Sequence, residues 1–538
     1  MERKVIYGIE GLKAIKKGID KTAAIVATTL GPHGRTVLIS RATGYDDRGG
    51  LDYLPLYATK DGVNTCKSVT LTDGVENIGS QLIKEAAQKT MNDCGDATTT
   101  TCVLMQAIVE KGLELVEQGV NVMELKKGIE SAVEYVVGQL KLQAVPVGDD
   151  IEKIRQVATI SANNDLSIGD LIAEAYSKIG VDGVIDIQAA NIPKTELKTE
   201  AGFKFNKGML SPYFITDQSK NEAVLEEPYI LLYDKTITTY IQIQPVLTQV
   251  MQANKSLLII CEDSEGEALA VAALNTYQKR IKCCIVKAPN FGHEKRETME
   301  DAAISTGSLY VSELKGVGLK EVKLNHHVKL AKKAIITADS TIIIGGERDE
   351  KKYQDYISNL RANLALAETD EDREHIEKRI ARLIGGVAVI SVGGVTETEM
   401  KEKLDRIDDA VRATKSAIQE GYVIGGGCAF LKIPPSIEKY DTAKSQSQSK
   451  GWDLVYNAVK SPIKQICLNA GIDYVDVLDK VELTDKNLGY NAKDEKVEDL
   501  IAAGIIDPVK VLRCSLQNAA SAAIVALTSG GLIVDVQN

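Results

Sequence analysis

The stretch Gly95-Asp96-Ala97-Thr98-Thr99-Thr100-Thr101 leads directly into an apolar run, Cys102-Val103-Leu104-Met105-Gln106-Ala107-Ile108-Val109. This order predicts a polar loop that becomes the first turn of a helix. The first backbone N–H groups of a helix have no partner within it, and the helix dipole adds partial positive charge there. Together with the threonine hydroxyls, these donors suit an anionic phosphate. Asp96 then requires a divalent cation between itself and the phosphates. A threonine-rich helix cap without a ligand is the simpler alternative.

Other loops must supply the rest of any phosphate site, because the chain has no GxxxxGK[ST] sequence and therefore no Walker P-loop. Leu30-Gly31-Pro32 is a turn whose backbone could approach a nucleotide closely, since glycine has no Cβ. The same three residues could simply end a helix. Asp61 precedes a glycine, which is also common in surface turns. Asp408 and Asp409 lie on a predicted helix, where neighbours point about 100° apart, so the two carboxylates do not share a task.

Composition excludes several classes of protein. The chain has 538 residues, of which 44% are hydrophobic and 26% charged, an ordinary soluble composition with room for several domains. Its net charge of −11 and scattered basic residues make nucleic acid a poor partner. No apolar run reaches the length of about eighteen residues that predicts a membrane span, and the N-terminus lacks a signal core. Nine cysteines without CxxC spacing fit a reducing cytosol, and five histidines give little support for a histidine metal site.

The predicted secondary structure is mainly helical at first, then mixed, and then mainly helical again. Apolar residues recur at helical spacing in four early segments, at 11–30, 75–91, 102–116 and 122–140. Short strands then alternate with helices, at 229–233, 245–253, 256–260, 267–280 and 283–286. One long charged helix is predicted over 351–383, followed by a strand over 387–392 and mainly helices to 525. The low-complexity stretch 444–450 is predicted to be a solvated loop. This order predicts that both chain ends form one mainly helical domain, with an α/β segment inserted between them.

Several short motifs, in this order and at these separations, closely resemble the group I chaperonins, the GroEL family. The motifs lie at 29–35, 58–63, 95–101, 160–165, 406–414, 421–427, 489–492 and 504–508. The resemblance extends from about residue 4 to about residue 534. It implies a multidomain α and α/β fold with three domains. These are a mostly helical equatorial domain from 1–142 and 420–538, a small intermediate domain from 143–199 and 388–419, and an α/β apical domain from 200–387.

The function implied by this resemblance is that of an ATP-dependent chaperonin. Such a protein binds nonnative polypeptides and promotes their folding inside a ring-shaped cavity, driven by binding and hydrolysis of Mg-ATP. The resemblance implies ATPase activity, a homo-oligomer of one or more seven-membered rings, a co-chaperonin partner and a monovalent cation such as K⁺. Neither nucleic acid nor a membrane is an expected partner, and the expected location is the cytoplasm.

The resemblance also assigns site residues. Asp409, in the intermediate domain, would activate the attacking water after that domain closes, and Asp61 would be a second carboxylate near the γ-phosphate. Asp96 would bind Mg²⁺. The other implied nucleotide-binding residues are Thr29, Leu30, Gly31, Pro32, Lys60, Ala97, Thr98, Thr99, Thr100, Gly426, Asn491, Ala492, Lys493 and Asp507. The implied polypeptide-binding residues, on what should be an exposed apolar surface, are Tyr213, Phe214, Leu247, Leu269 and Leu274.

Two departures from the family pattern leave alternatives open. Ala97 stands where the family usually has glycine, which would cost roughly 1 kcal/mol or more if its φ is positive and nothing if its φ is helical. The segment 41–57 is longer than the family norm. These features favour a divergent chaperonin-like protein that binds polypeptides with weak or no ATPase, whereas the intact Asp61, Asp96 and Asp409 favour hydrolysis. A small-molecule kinase is the third reading, but the sequence has no acceptor motif.

Overall fold

The computed structural model describes residues 3–535 apart from 41, 46–50, 54–55, 163, 182, 191, 219, 313–315, 368, 395, 436–444 and 483–484. The chain folds into two compact units. The first unit contains Met1–Glu174, Asn191–Lys194 and Val392–Asn538, and the second contains Ala175–Ala190 and Thr195–Ser391. Both chain ends therefore build one unit, and the middle of the chain is inserted as another. The strips predicted as an intermediate domain are divided between the two units, so the three-domain boundaries stay a prediction.

The N-terminal part of the chain is mainly helical. Its helices are α1 (Gly8–Ala27), α2 (Gly62–Ser68), α3 (Gly74–Cys94), α4 (Thr98–Glu117), α5 (Val122–Gln143), α6 (Ile151–Ser161) and α7 (Leu166–Ile179). Its strands are β1 (Arg3–Tyr7), β2 (Val37–Ile39), β3 (Ala42–Tyr45), β4 (Leu51–Tyr53) and β5 (Tyr57–Thr59). Side chains of Asp61, Asp73, Asn121 and Asp150 accept hydrogen bonds from first-turn N–H groups and so begin α2, α3, α5 and α6. In the long 41–57 segment, β3 pairs with β4, and residues 41, 46–50 and 54–55 lie outside the described part.

Within its described residues, the second unit contains three sheets. Its strands are β6 (Val184–Ala189), β7 (Glu196–Glu200), β8 (Gly202–Phe205), β9 (Ala223–Glu226), β10 (Pro228–Tyr233), β11 (Ser256–Cys261), β12 (Cys283–Lys287), β13 (Tyr310–Val311), β14 (Lys329–Leu330), β15 (Lys333–Ile336), β16 (Thr341–Ile344) and β17 (Val387–Val392). A parallel sheet has the order β12-β11-β10-β13, with β14 antiparallel to β10; the others have the orders β8-β16-β15-β9 and β6-β17-β7. Every residue of β10 and β11 is buried, as expected of parallel strands covered by helices.

The helices of the second unit correct one prediction. They are α8 (Tyr240–Gln252), α9 (Gly266–Tyr277), α10 (Gly292–Thr306), α11 (Glu350–Leu366) and α12 (Asp370–Ile384). The single long helix predicted over 351–383 is wrong, because the chain forms two helices there. The Tyr353 hydroxyl in the first turn of α11 donates to the carbonyl of Leu383 near the end of α12, so the two helices form a hairpin. The Thr369 hydroxyl accepts from the N–H of Asp372, which begins the second helix.

The C-terminal part of the chain completes the first unit. It contains α13 (Glu397–Glu420), α14 (Cys428–Leu431), α15 (Gln446–Ala458), α16 (Ser461–Ala470), α17 (Tyr474–Glu482) and α18 (Val509–Thr528), with strands β18 (Tyr422–Ile424), β19 (Leu488–Asn491), β20 (Lys496–Asp499), β21 (Ile506–Pro508) and β22 (Gly531–Asp535). β22 pairs antiparallel with β1. α18 is long and apolar enough to cross a membrane, but 67% of that stretch is buried inside the protein, as in a core helix.

The solvated loop predicted at 444–450 is also wrong for the residues that are described. Ser445 accepts a hydrogen bond from the N–H of Gln448 and begins α15, and Gln448 itself is buried. A serine followed by residues that tolerate a helix is an N-cap signal. The repetitive composition of this stretch favoured a loop and obscured that signal. Residue 444 lies outside the described part.

Candidate functional site

A cavity of about 720 Å³ lies within the first unit. Small-molecule sites usually occupy about 300–1,000 Å³, so the cavity is large enough for a nucleotide. Every residue to which the sequence assigned a catalytic or nucleotide-binding role lines it. These residues are Thr29, Leu30, Gly31, Pro32, Lys60, Asp61, Asp96, Ala97, Thr98, Thr99, Thr100, Asp409, Gly426, Asn491, Ala492, Lys493 and Asp507. The structure thus brings them together, while the role of each stays a prediction.

The start of α4 forms one wall of the cavity. Gly95 ends α3 with a φ of 78°, and Ala97 precedes α4 with a φ of 61°. Within the described residues no side chain caps α4, so its first N–H groups are available to an anion. Of the two alternatives for Ala97, the positive φ is therefore the one that occurs. Its cost of roughly 1 kcal/mol is opposed by packing of Ala97 against a small buried cluster, Cys94, Val511 and Cys514.

Asp61 reaches the same wall from the start of α2. Its carboxylate oxygens accept from the N–H groups of Val63 and Asn64 at 3.0 and 2.9 Å, which fixes the side chain's orientation. A Cβ added to Gly62 would lie only 2.1 Å from the Thr99 hydroxyl oxygen, so glycine allows the starts of α2 and α4 to touch. Helix capping and close packing thus place Asp61 beside the threonines of α4.

Asp409 comes to the cavity on one face of α13. Glu402, Asp405, Arg406 and Asp409 share the helical spacing of three or four residues and all line the cavity. The neighbouring Asp408 instead accepts from Nε of Arg412 at 3.1 Å. The two adjacent acids therefore have different surroundings, as the helical geometry predicts, and Asp409 is the one at the cavity.

Three carboxyl groups in this cavity have raised pKa values. Burial raises the pKa of Asp409 well above its usual range, and the charges of Asp61 and Asp96 add to the effect. Burial likewise raises the pKa of Asp96, and it raises the pKa of Asp507 to about 7. Buried acids that repel one another are stabilised by a bound cation. The residues present therefore fit a magnesium-bound nucleotide.

A metal here would need ligands beyond the protein. Among the described residues, no group of three or more His, Cys, Asp or Glu side chains is arranged to hold a metal ion by itself. Mg²⁺ is typically bound through one or two carboxylates, with phosphate oxygens and water completing its octahedron. Asp96 as the assigned carboxylate, at the open start of α4, agrees with that pattern.

The turn after α1 is held in place from outside the cavity. The Asn469 side-chain amide donates to the carbonyls of Ala27 and Leu30, both at 2.8 Å. The Thr29 and Thr99 hydroxyls lie 3.3 Å apart, which connects this turn to α4. The sequence analysis did not identify Asn469, because an asparagine on a helix carries no local sign of so distant a partner.

A glycine loop and the β19–β20 hairpin also line the cavity. Gly426 has a φ of 64°, and an added Cβ would meet only the carbonyl oxygen of Tyr490, 3.8 Å away, so this backbone faces open space. The Asn491 side chain donates to Asp494 and Glu498 and accepts from the N–H of Lys493. Its amide therefore orders the hairpin.

One wall was missed by the sequence analysis. The cavity face of α6 carries Glu152, Arg155, Gln156, Thr159 and Ile160. Arg406 on α13 is held there by Asp165 at 3.1 Å and Glu402 at 2.9 Å. The helical spacing of the α6 residues was available as a signal, but a charged helix face is usually solvated, so it pointed to no ligand.

The predicted polypeptide-binding residues of the second unit divide into two groups. Tyr213 and Leu274 are 59% and 55% exposed, and Leu269 is half-buried. The prediction of an exposed surface is wrong for Phe214 and Leu247, which are 0% and 3% exposed and belong to the core. The reason is local geometry, since α8 buries Leu247 together with its apolar neighbours, and the short helical turn of Tyr213 points consecutive side chains in different directions.

Other apolar side chains extend the exposed set. The rings of Tyr213 and Tyr277 make an edge contact with their centroids 5.6 Å apart, and Tyr277 is 64% exposed. Ile241 at the start of α8 is also exposed. We call Tyr213, Ile241, Leu274 and Tyr277 the exposed apolar set of the second unit.

Comparison with known proteins identifies the family. The TCP-1/cpn60 chaperonin family matches residues 22–257 and 240–537 of this chain. A crystal structure of the chaperonin gp146 from the bacteriophage EL 2 (Pseudomonas aeruginosa), obtained in the presence of ATP-BeFx, aligns with 99% of each chain at 20% sequence identity and a TM-score of 0.64. At that identity the alignment shows the shared fold, which is a GroEL-like multidomain architecture of helical and α/β parts. The chain belongs to the TCP-1/cpn60 chaperonin family.

Proposed function

We propose that this protein is a chaperonin of the group I type that binds nonnative polypeptides and promotes their folding inside a ring-shaped cavity, driven by Mg-ATP. The observation that carries the proposal is the convergence of Asp61, Asp96 and Asp409 on one cavity with the open start of α4. Three acids that repel one another beside free N–H donors suit a triphosphate and its cation.

Different residues of the chain would bind the phosphates, bind Mg²⁺ and accept the proton of the attacking water. The N–H and hydroxyl groups of Thr98, Thr99 and Thr100 would hold the phosphates, and Asp96 would hold Mg²⁺, which neutralises phosphate charge when bound. Asp409 would accept a proton from the water that attacks the γ-phosphorus, while the bond from that phosphorus to the bridging oxygen breaks and ADP leaves.

A phosphate-release assay tests this assignment. We expect Asp409→Asn to lower the rate by about 100-fold or more, the usual contribution of a general base, while nucleotide binding persists. Asp408→Asn is the matched control, because that neighbour is paired with Arg412, and its rate should stay near wild type. Equal rates for wild type and Asp409→Asn would overturn the hydrolytic assignment.

The same result would favour the second candidate, a divergent chaperonin-like protein that binds polypeptides with weak or no ATPase. The observation in favour of this candidate is the positive φ of Ala97, a strained position directly at the phosphate end of the cavity. Tight nucleotide binding with no phosphate release in the wild type would establish it.

The proposal extends to assembly and partners. We infer one or more seven-membered rings of identical subunits, a co-chaperonin, a monovalent cation such as K⁺ near Lys60, and a cytoplasmic location. The exposed apolar set supports binding of nonnative chains, and the nine free thiols support a reducing compartment. Negative-stain electron microscopy with and without ATP tests the rings, and a monomer under both conditions would contradict them.

A further inference from the structure

Two cysteine thiols lie against each other directly behind the start of α4. Cys94 is the last residue of α3, Cys514 lies in the second turn of α18, and the two side chains pack in one small buried cluster with Val511. Ala97 packs against the pair from the nucleotide side. Cys94 Sγ also lies 3.5 Å from the carbonyl oxygen of Asp96. The pair therefore supports the same loop that forms the phosphate end of the nucleotide cavity.

A second cavity gives access to one of these thiols. It has a volume of about 550 Å³, and Cys514 lines it together with Lys89, Asp93, Lys510 and Arg513. Cys94 is absent from its lining and lies behind Cys514. A small reagent that enters this cavity would thus meet Cys514 first.

The surroundings of Cys514 favour its reactive form. Nη1 of Arg513 lies 3.5 Å from Cys514 Sγ, and Glu420 holds that guanidinium in place. This positive charge favours the thiolate of Cys514, because an opposite charge within a few ångströms stabilises the ionised form of a side chain. The thiolate is the nucleophilic form of cysteine, so Cys514 is suited to attack an oxidant.

Other cysteines of the chain can be compared with Cys94 and Cys514. Cys66 and Cys102 are a second thiol pair in contact, but both are fully buried in the core, and neither lines the cavity at Cys514. Burial raises the pKa of Cys428 to about 12, although it lies close to the nucleotide loops. Cys514 differs from these cysteines in having a guanidinium beside its sulfur and in lining this cavity.

We propose that Cys94 and Cys514 form a peroxide-reactive dithiol site. The Cys514 thiolate attacks one oxygen of hydrogen peroxide, the O–O bond breaks, hydroxide leaves and takes up a proton, and Cys514 becomes a sulfenic acid. Cys94 then loses its proton and attacks that sulfur, so that the disulfide bond forms and water leaves. Two thiols are oxidised and one peroxide is reduced to two waters.

The disulfide would tie the end of α3 to α18 and restrain the loop from Gly95 to Ala97. This consequence rests on the proposed function, because it predicts slower ATP hydrolysis in the oxidised protein. The formation of the disulfide does not rest on it, and the two can be tested separately.

Peptide mapping of the full-length protein tests the site. After treatment with hydrogen peroxide, alkylation of remaining thiols and digestion with trypsin, we expect peptide 90–111 joined to peptide 514–538. Because peptide 90–111 also contains Cys102, fragmentation must place the link at Cys94, and Cys102→Ala should leave the link intact. Cys94→Ala should abolish it and leave a Cys514 sulfenic acid that dimedone traps.

Alkylation rates give a measurement that needs no variant. In the reduced wild type, iodoacetamide should modify Cys514 on the order of tenfold faster than Cys428. Equal rates, or peroxide treatment that yields neither the link nor the sulfenic acid, would overturn the proposal. A link with unchanged ATPase would contradict the restraint of the loop, whereas ATPase missing in both redox states would contradict only the proposed function.

Discussion

The cavity of the first unit and the exposed apolar set of the second unit both depart from the usual placement of residues, but in opposite ways. In the cavity, Asp96, Asp409 and Asp507 are half-buried acids with raised pKa values. On the second unit, large apolar side chains such as Tyr213 and Leu274 face solvent. Under the proposed function, a bound cation would relieve the repulsion between the acids, and a nonnative chain would cover the exposed apolar side chains. The comparison shows that candidate sites can be found where acids are shielded from water or where large apolar side chains are exposed to it.

The first and largest predicted effect distinguishes two neighbouring aromatic residues, of which one is buried and the other exposed. Phe214→Ala removes a fully buried ring and should lower the free energy of unfolding by about 3–5 kcal/mol. Tyr213→Ala removes an exposed ring, so stability should change by no more than about 0.5 kcal/mol. Calorimetry of the full-length variants measures both effects.

The same pair of variants separates stability from binding. If the exposed set binds nonnative chains, Tyr213→Ala should suppress the aggregation of a denatured enzyme less well than wild type, as measured by light scattering. Undiminished suppression by Tyr213→Ala would remove that residue from the binding surface.

A second prediction concerns the cation of the acidic cavity. Removing a residue that only hydrogen-bonds to a metal ligand typically weakens metal affinity about 10–100-fold. Asp96→Asn alters the assigned ligand itself. We therefore expect it to raise the Mg²⁺ concentration needed for phosphate release by at least about 10–100-fold. Asp405→Asn is the matched control on the same cavity. A comparable shift with Asp405→Asn would mean that the cavity's total charge, and not Asp96 in particular, binds the cation.

The third prediction is a pH dependence of stability. A carboxyl that holds its proton more tightly in the folded than in the unfolded chain loses stability as pH rises from its unfolded pKa of about 4 through its folded value, which is about 7 for Asp507. Nucleotide-free Asp507→Asn should therefore melt a few degrees above wild type at pH 8, and the difference should shrink near pH 5. A difference that is constant with pH would point to a cause other than this carboxyl.

The smallest expected effect is at Ala97. Ala97→Gly should stabilise the protein by up to about 1 kcal/mol, because glycine adopts a φ of 61° without strain. Ala107→Gly in the regular part of α4 is the control and should cost about 1 kcal/mol. Destabilisation by both changes would mean that packing of the Ala97 methyl group outweighs its backbone strain.

The backbone positions of the loops assigned to the nucleotide could be predicted from the sequence because they depend on local chemistry. Asp61 caps a helix, Gly95 ends one, and the threonines begin another, so each residue's type already reveals its backbone position. The α6 wall was missed because Arg155 and its neighbours have the composition of any solvated helix face. Only the tertiary packing reveals that they face a cavity.

The apolar residues of the second unit show why other features could not be predicted. Leucine and phenylalanine serve equally in a core and on a binding surface, and the rotation of a helix about its axis decides which occurs. Phe214 and Leu247 were assigned to the wrong side for that reason. The break after Leu366 was missed because the segment has neither proline nor glycine, and Thr369 is a weak signal within a charged run.

Asp61 caps α2 and is also proposed to act near the γ-phosphate. These two roles affect how the phenotypes of Asp61 variants would be interpreted. Its two oxygens accept hydrogen bonds from the N–H groups of Val63 and Asn64 and so hold the first turn of α2 together. A replacement at this position would disturb architecture and chemistry at once, and a dead variant would not reveal which was lost. Asp409, which caps no helix, is the cleaner position for assigning cause.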